Sequence, residues 1–216
     1  MRKPIPILTY HQVDTPPEAG VPYRSLVVSP AAFARQMGLL KVLGYRGLSM
    51  TALEPYLRGD KRGRVVGITL DDGYLNNLEH ALPVLRRHGF SATCYVVSGR
   101  MGGTNVWDQD KGVPSRPLMD AAQLKAWVAG GQEVGAHTRT HADLTRADDT
   151  TAFQEIAGCK RDLEHRVGVE VRLFMPVINV PFRLIFAYNP QRAGVLDNTL
   201  QPQHAFQFRF AVGTTF

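Results

Sequence analysis

The run RVVGITL at residues 64 to 70, closed by DDG, constrains the fold of this chain more than any other segment. A strand with one face in water alternates apolar and polar residues. This one does not, so it reads as a central strand covered on both faces. Covering both faces takes helices, and the flanking segments supply them. PIPILTY (4 to 10) reads as a first strand. SPAAFARQMGLLKVLGY (29 to 45) reads as a helix with Ser29 as N-cap, Pro30 in the first turn, and Phe33, Met37 and Leu40 along one face. A helix near 75 to 88, a strand at 91 to 97, a helical DAAQLKAWVAGG, a strand at 132 to 138 and a helix over 148 to 167 continue the alternation. The last helix carries Phe153, Ile156 and Leu163 as apolar positions. This is the pattern of parallel βαβ units, an α/β fold.

A chain of 216 residues, 44% hydrophobic and 20% charged, has material for one sizeable core, so a single domain over 1 to 216 is expected. Its 25 basic and 19 acidic residues leave a net charge of +6 spread without blocks, which argues against a nucleic-acid partner and leaves an anionic or sugar-rich one open. Cys94 and Cys159 make neither a disulfide framework nor a CxxC pattern and read as reduced core residues. The apolar stretch near the N-terminus is too short and proline-broken for a signal peptide. No segment reaches the roughly 18 consecutive apolar residues of a membrane span. A cytoplasmic protein is the default expectation, with export left open. The glycine- and proline-rich stretch 98 to 118 interrupts the βα pattern and reads as a functional loop.

Residues at the C-terminal ends of parallel strands converge on the binding face of an α/β domain. Three strands deliver polar residues there: His11, the pair Asp71 and Asp72, and His137. His137 and His141 are four residues apart, the spacing that places two side chains on one face of a helical turn. Two imidazoles and one carboxylate form a facial set of three ligands that leaves positions open for water and substrate. A dication so held also explains the adjacent carboxylates: one binds it, while the other stays ionised beside it and serves as a general base. Each piece alone has a plainer reading, DDG as a turn and HxxxH as a solvated helix face. Together, at the ends of neighbouring strands, they point to a metal site.

ITLDDGY and EVGAHTRTHADL resemble the first and second motifs, TFDDG and H(S/T)xxH, of the polysaccharide deacetylases, the NodB-homology domain of carbohydrate esterase family 4. ILTYHQV is similar to the opening strand of many members, and the helix between the motifs and CKRDLEHRVGVEVRLF after them fit the spacing. The resemblance covers about residues 5 to 174. It implies a distorted (β/α) barrel with fewer than eight repeats, here incomplete at the C-terminus. It also implies a metal-dependent deacetylase that removes N- or O-linked acetyl groups from an acetylated sugar or polysaccharide. Carried over by position, it makes Asp71 the general base and Asp72, His137 and His141 the metal ligands. The cofactor it implies is a divalent metal, zinc first, with cobalt, nickel and manganese served by the same ligands. His11, Tyr74 and Trp107 are substrate-side candidates, the two aromatics either as platforms for a sugar face or as packing anchors.

The third family motif begins with Arg172 and Phe174, but MPVINVPFRLIFAYNPQRAG replaces the rest of it. A shifted reading frame would produce such a block. The chain also stops before the family motifs that supply the charged partner of the base and the histidine acid, which leaves His11 and His204 as candidates for the acid. Loss of general-acid help costs about 10²- to 10⁴-fold in rate. The alternative reading is therefore a metal-binding, catalytically impaired fragment or a sugar-binding pseudoenzyme, whose closing strands an oligomeric partner would supply.

Overall fold

Val65–Leu70 is buried at all six positions, and the sheet is organised around it. The computed structural model describes residues 4–169, 182–188 and 206–212. In order, the elements up to residue 169 are β1 (Ile7–Tyr10), two short strands β2 (Gln12–Val13) and β3 (Val27–Val28), α1 (Pro30–Val42), β4 (Arg46–Leu48) and α2 (Met50–Arg58). They continue with β5 (Val65–Leu70), α3 (Leu82–His88), β6 (Thr93–Val96), α4 (Ala121–Ala129), β7 (Glu133–Ala136) and α5 (Asp149–Val167). Every ladder of the main sheet is parallel. β5 bonds to β1, β4 and β6, and β7 lies beyond β6. β2 and β3 form a separate parallel pair.

Local chemistry sets the helix starts. The Ser29 hydroxyl accepts the Ala32 N–H at 3.2 Å, with Pro30 at the first helical position, as the sequence predicts. Asp120 and Gln123 close a reciprocal capping box at α4, and the Asp148 carboxylate caps α5 by accepting the Thr151 N–H at 2.7 Å. Phe33 and Met37 of α1, Leu85 of α3, Leu124 and Trp127 of α4 and Leu163 of α5 are all fully buried, packed in one cluster with Ile68, Leu70, Val96 and Val134 of the sheet. Each such side chain contributes about 1.5–3 kcal/mol relative to exposure.

The structure corrects one expectation about a helix face. Phe153 is 48% exposed; the inner stripe of α5 runs instead through Ala152, Glu155, Ile156, Cys159 and Leu163. The helix expected near 75 to 88 is present: it is α-helical at 75 and 76, π-helical over Asn77–Ala81 and α-helical again through α3. The expected α/β fold, a distorted barrel incomplete at the C-terminus, is present among the described residues as an open five-stranded parallel sheet in which no strand joins β7 to β1. Four elements were not anticipated: β2, β3 and β4 have only two or three residues each, and α2 carries Pro55 in its interior, where proline normally argues against a helix. Arg172, Phe174 and His204 lie outside the described residues.

Residues 1–174 form one compact unit and residues 175–216 a second. The second contains β8 (Phe182–Tyr188) and β9 (Phe206–Val212), paired antiparallel from Phe182 opposite Val212 to Tyr188 opposite Phe206. That is the pairing of a hairpin and not of a βα repeat.

Candidate metal centre and active site

Sheet register brings the candidate residues together. Tyr10 sits opposite Leu70, Leu70 opposite Cys94, and Val96 opposite Ala136, so His11, Asp71 and His137 all leave the sheet at the same edge. Two backbone bonds carry the alignment one residue further, from Asp71 N–H to the Tyr10 carbonyl at 2.9 Å and from His137 N–H to the Val96 carbonyl at 3.0 Å.

Beyond β5 the chain turns at once. Asp72 (φ 72°) and Gly73 (φ 82°) both occupy the left-handed region, which aspartate tolerates better than most residues and glycine adopts without penalty. A Cβ at Gly73 would lie 3.3 Å from both methyls of Val96, so the turn is also tight against β6. The outcome is two carboxylates with different surroundings. Asp72 Oδ1 is met by His137 Nε2 at 3.3 Å and His141 Nε2 at 3.4 Å. Asp71 Oδ2 lies 4.0 Å from His11 Nε2.

His137 and His141 converge, with ring centroids 5.2 Å apart, but no helix brings them there. The HTRTH segment is a turn with Thr138 (φ 62°) and His141 (φ 65°) left-handed. For a β-branched residue such as Thr138 that conformation is strained, and strain of this kind persists only where surrounding contacts over-determine it. The contacts are present. Thr138 Oγ1 accepts the His141 N–H at 3.0 Å. The Thr138 and Arg139 carbonyls accept N–H groups from Ser98 and Gly99 at 3.3 and 2.8 Å. The Arg139 guanidinium pairs with Asp162 at 2.9 Å, and the same Asp162 oxygen accepts the Ser98 hydroxyl.

The long loop 98 to 118 is fastened beside the DDG turn through a bridge between Tyr74 and Leu118, and a second bridge, between Thr104 and Pro117, closes the loop on itself. Within it, the Trp107 ring stacks on the His141 imidazole, centroids 4.6 Å apart and 9° from parallel. Of the two aromatic readings, packing thus describes Trp107, and what it packs on is a candidate ligand. Tyr74 is 2% exposed, so it offers no open ring face for a sugar. It lines a small pocket together with His11, Gln12, Asp72, Asp108 and Arg116.

Sequence reasoning missed three buried residues that shape this face. Asn77 fixes the chain around His11, donating to the His11 carbonyl at 2.8 Å and accepting the Val13 N–H at 3.2 Å. Asn105 pins the base of the long loop by accepting the Arg116 N–H at 2.7 Å. Glu155 accepts N–H groups from the HTRTH turn. Only Glu155 left a trace in the sequence, as a charge at a position on the apolar stripe of its helix.

Burial separates the electrostatics of the two aspartates. It pushes the Asp71 carboxyl above the usual carboxylate range, against the pull of His137 and His11 and with help from the Asp72 charge. It acts on Asp72 in the same direction, but the His137 and His141 imidazoles outweigh it and hold that carboxyl well below the usual range. Burial lowers the basicity of His137, and its contact with Asp72 together with the Asp71 and Asp72 charges more than reverses that, so its pKa is raised.

Asp72, His137 and His141 each offer one ligand atom, all within 4.8 Å of one another. Asp72 Oδ1 and Asp71 Oδ1 are buried, with no hydrogen-bond partner among the described residues. Three electron-pair donors aimed at one point, one of them a buried unpartnered oxygen, fit a divalent cation with three protein ligands and open positions.

The family described as polysaccharide deacetylase matches residues 58–179, more than half of the sequence, and the chain belongs to that family. Among curated relatives, Bacillus subtilis (strain 168) YxkH, whose name assigns it to the polysaccharide deacetylases, is 27% identical over 159 residues. That alignment covers 73% of this chain and 50% of YxkH, so the chain spans half the length of its curated relative. Among solved structures, the Streptococcus pyogenes deacetylase PplD in complex with acetate is 25% identical with a TM-score of 0.64, covering 77% of this chain and 70% of that one. BC0361, a polysaccharide deacetylase from Bacillus cereus, is 31% identical with a TM-score of 0.61, covering 77% of this chain and 48% of that one.

Proposed function

We propose that this chain hydrolyses acetyl groups from a carbohydrate, with a divalent metal held by Asp72, His137 and His141. The single observation that carries the reading is the buried, unpartnered Asp72 Oδ1 facing two imidazole nitrogens at 3.3 and 3.4 Å. A bound dication supplies positive charge that polarises the acetyl carbonyl and makes water acidic near pH 7. Asp71 takes the proton of the attacking water: it stands beside the three ligands at the same strand end, and the dication's charge keeps it ionised there. His11, 4.0 Å from Asp71, is the side chain next to the base that can return a proton to the departing amine or hydroxyl. Zinc is the first choice of metal because two histidines and a carboxylate are an ordinary catalytic zinc set.

The test is direct. The purified chain, loaded with zinc and dialysed, is assayed for bound metal and for acetate released from an N-acetylglucosamine oligomer and an O-acetylated xylan. Expected are one zinc per chain and release from one substrate. Asp71→Asn is expected to keep the metal and lose about 10²- to 10⁴-fold in rate. Bound zinc with no acetate from either substrate would favour the impaired, metal-binding reading. A chain that takes up no divalent metal would overturn both.

A further inference from the structure

We infer that Glu155 of α5 is a positioning residue that sets the spacing of the two histidine ligands. The inference rests on the metal reading proposed above. Glu155 is 9% exposed on the inner stripe of α5, 14 positions beyond His141 in the sequence. One carboxylate oxygen, Oε2, accepts the N–H groups of Arg139 at 2.8 Å and Thr140 at 2.9 Å. The other, Oε1, accepts the Thr140 hydroxyl at 2.8 Å. The three contacts fall on Arg139 and Thr140, two of the three residues between His137 and His141.

Two features make this more than helix docking. The turn holds Thr138 and His141 in the left-handed region, so without outside anchors it relaxes and the two imidazoles part. Glu155 takes the N–H groups of the same segment whose carbonyls at Thr138 and Arg139 are taken by Ser98 and Gly99, so the backbone is gripped through both its donors and its acceptors. A charge-assisted acceptor is the stronger choice for such a grip, which accounts for a carboxylate at a buried position where apolar residues surround it.

Zinc affinity of the metal-free chain, read by competition with a chromophoric chelator, and melting temperature without metal are measured for four variants. Glu155→Leu removes every acceptor and is expected to weaken zinc binding about 10- to 100-fold, as loss of an outer partner of a metal ligand does. Glu155→Gln can turn its carbonyl to the two N–H groups and its amide to the Thr140 hydroxyl, and is expected to bind nearer to wild type than Glu155→Leu. Thr140→Val, at an exposed side chain, removes one contact and is expected to weaken binding by a smaller factor. Ile156→Ala, a core truncation on the same helix, is expected to lower the melting temperature while leaving zinc affinity unchanged. Wild-type affinity in folded Glu155→Leu would overturn the inference, as would an equal loss in Ile156→Ala. Should Glu155→Leu fail to fold, unchanged affinity in Thr140→Val overturns it. A wild-type chain that binds no zinc removes the metal reading and this inference with it, whereas wild-type binding beside unaffected variants removes this inference alone.

Discussion

Asp71 and Asp72 are neighbours in the chain, equally buried and opposite in behaviour. The left-handed Asp72 aims one carboxylate at His137 and His141, and Asp71 is left near His11. Because the His137 pKa is raised, its protonated form adds stability to the metal-free chain that is fully present below its ordinary value of 6.5 and lost as pH rises through the higher folded value. A metal needs the neutral imidazole, so metal binding must expel that proton. Zinc affinity is therefore expected to rise with pH between about 6 and 8, by up to about tenfold per unit for each proton expelled. Calorimetric titrations in buffers of different ionisation enthalpy read the proton release; an affinity flat across that range would contradict it. At this scale the sequence was informative about which residues mattered. Asp71, Asp72, His11 and His137 were recognisable as strand-end polar groups, and His141 by its spacing of four from His137. Their division of labour depended on backbone φ values that neighbouring side chains impose, and a DDG string does not encode those.

Elements carry the site by register. β7 ends one residue before His137, and its seat on β6 is made by Gly135, where a Cβ would lie 2.5 Å from the Tyr95 ring. Tyr95 is 1% exposed and has no room to retreat. Gly135→Val is expected to lower stability by about 1–3 kcal/mol through overpacking, visible as a lower melting temperature and, because His137 shifts with the strand, as weaker zinc binding. A variant that melts with the wild type would show that the sheet yields there. Periodicity revealed the starts of α1 and α5 because Ser29 and Asp148 are strong local caps. It mistook HTRTH for a helical turn because a spacing of four is shared by a helix and by a tight turn with two left-handed residues. It placed Phe153 on the wrong face because a single aromatic does not define which side of a helix meets the core; the run of Ala152, Glu155, Ile156 and Cys159 does.

For the whole compact unit, a dication that binds only the folded chain adds stability by mass action. At a free zinc concentration about 100 times the dissociation constant the gain is about 2.7 kcal/mol, which for a unit of this size raises the melting temperature on the order of 5–10 °C. Chelation should reverse the gain, and Asp72→Asn should abolish it; a melting curve indifferent to zinc would argue that the three ligands are filled by nothing in solution.

The sequence alone determined the α/β class, the family and which residues make up the candidate site, because apolar period, caps and short motifs are local properties written in adjacent residues. Only the tertiary structure decided the rest: that Trp107 covers His141, that Asn77 holds the chain at His11, and that Glu155 grips the ligand turn from the next helix. Each of these joins residues from 15 to 66 positions apart, and contacts at such separations arise from how a parallel sheet aligns its strand ends, which no local pattern records.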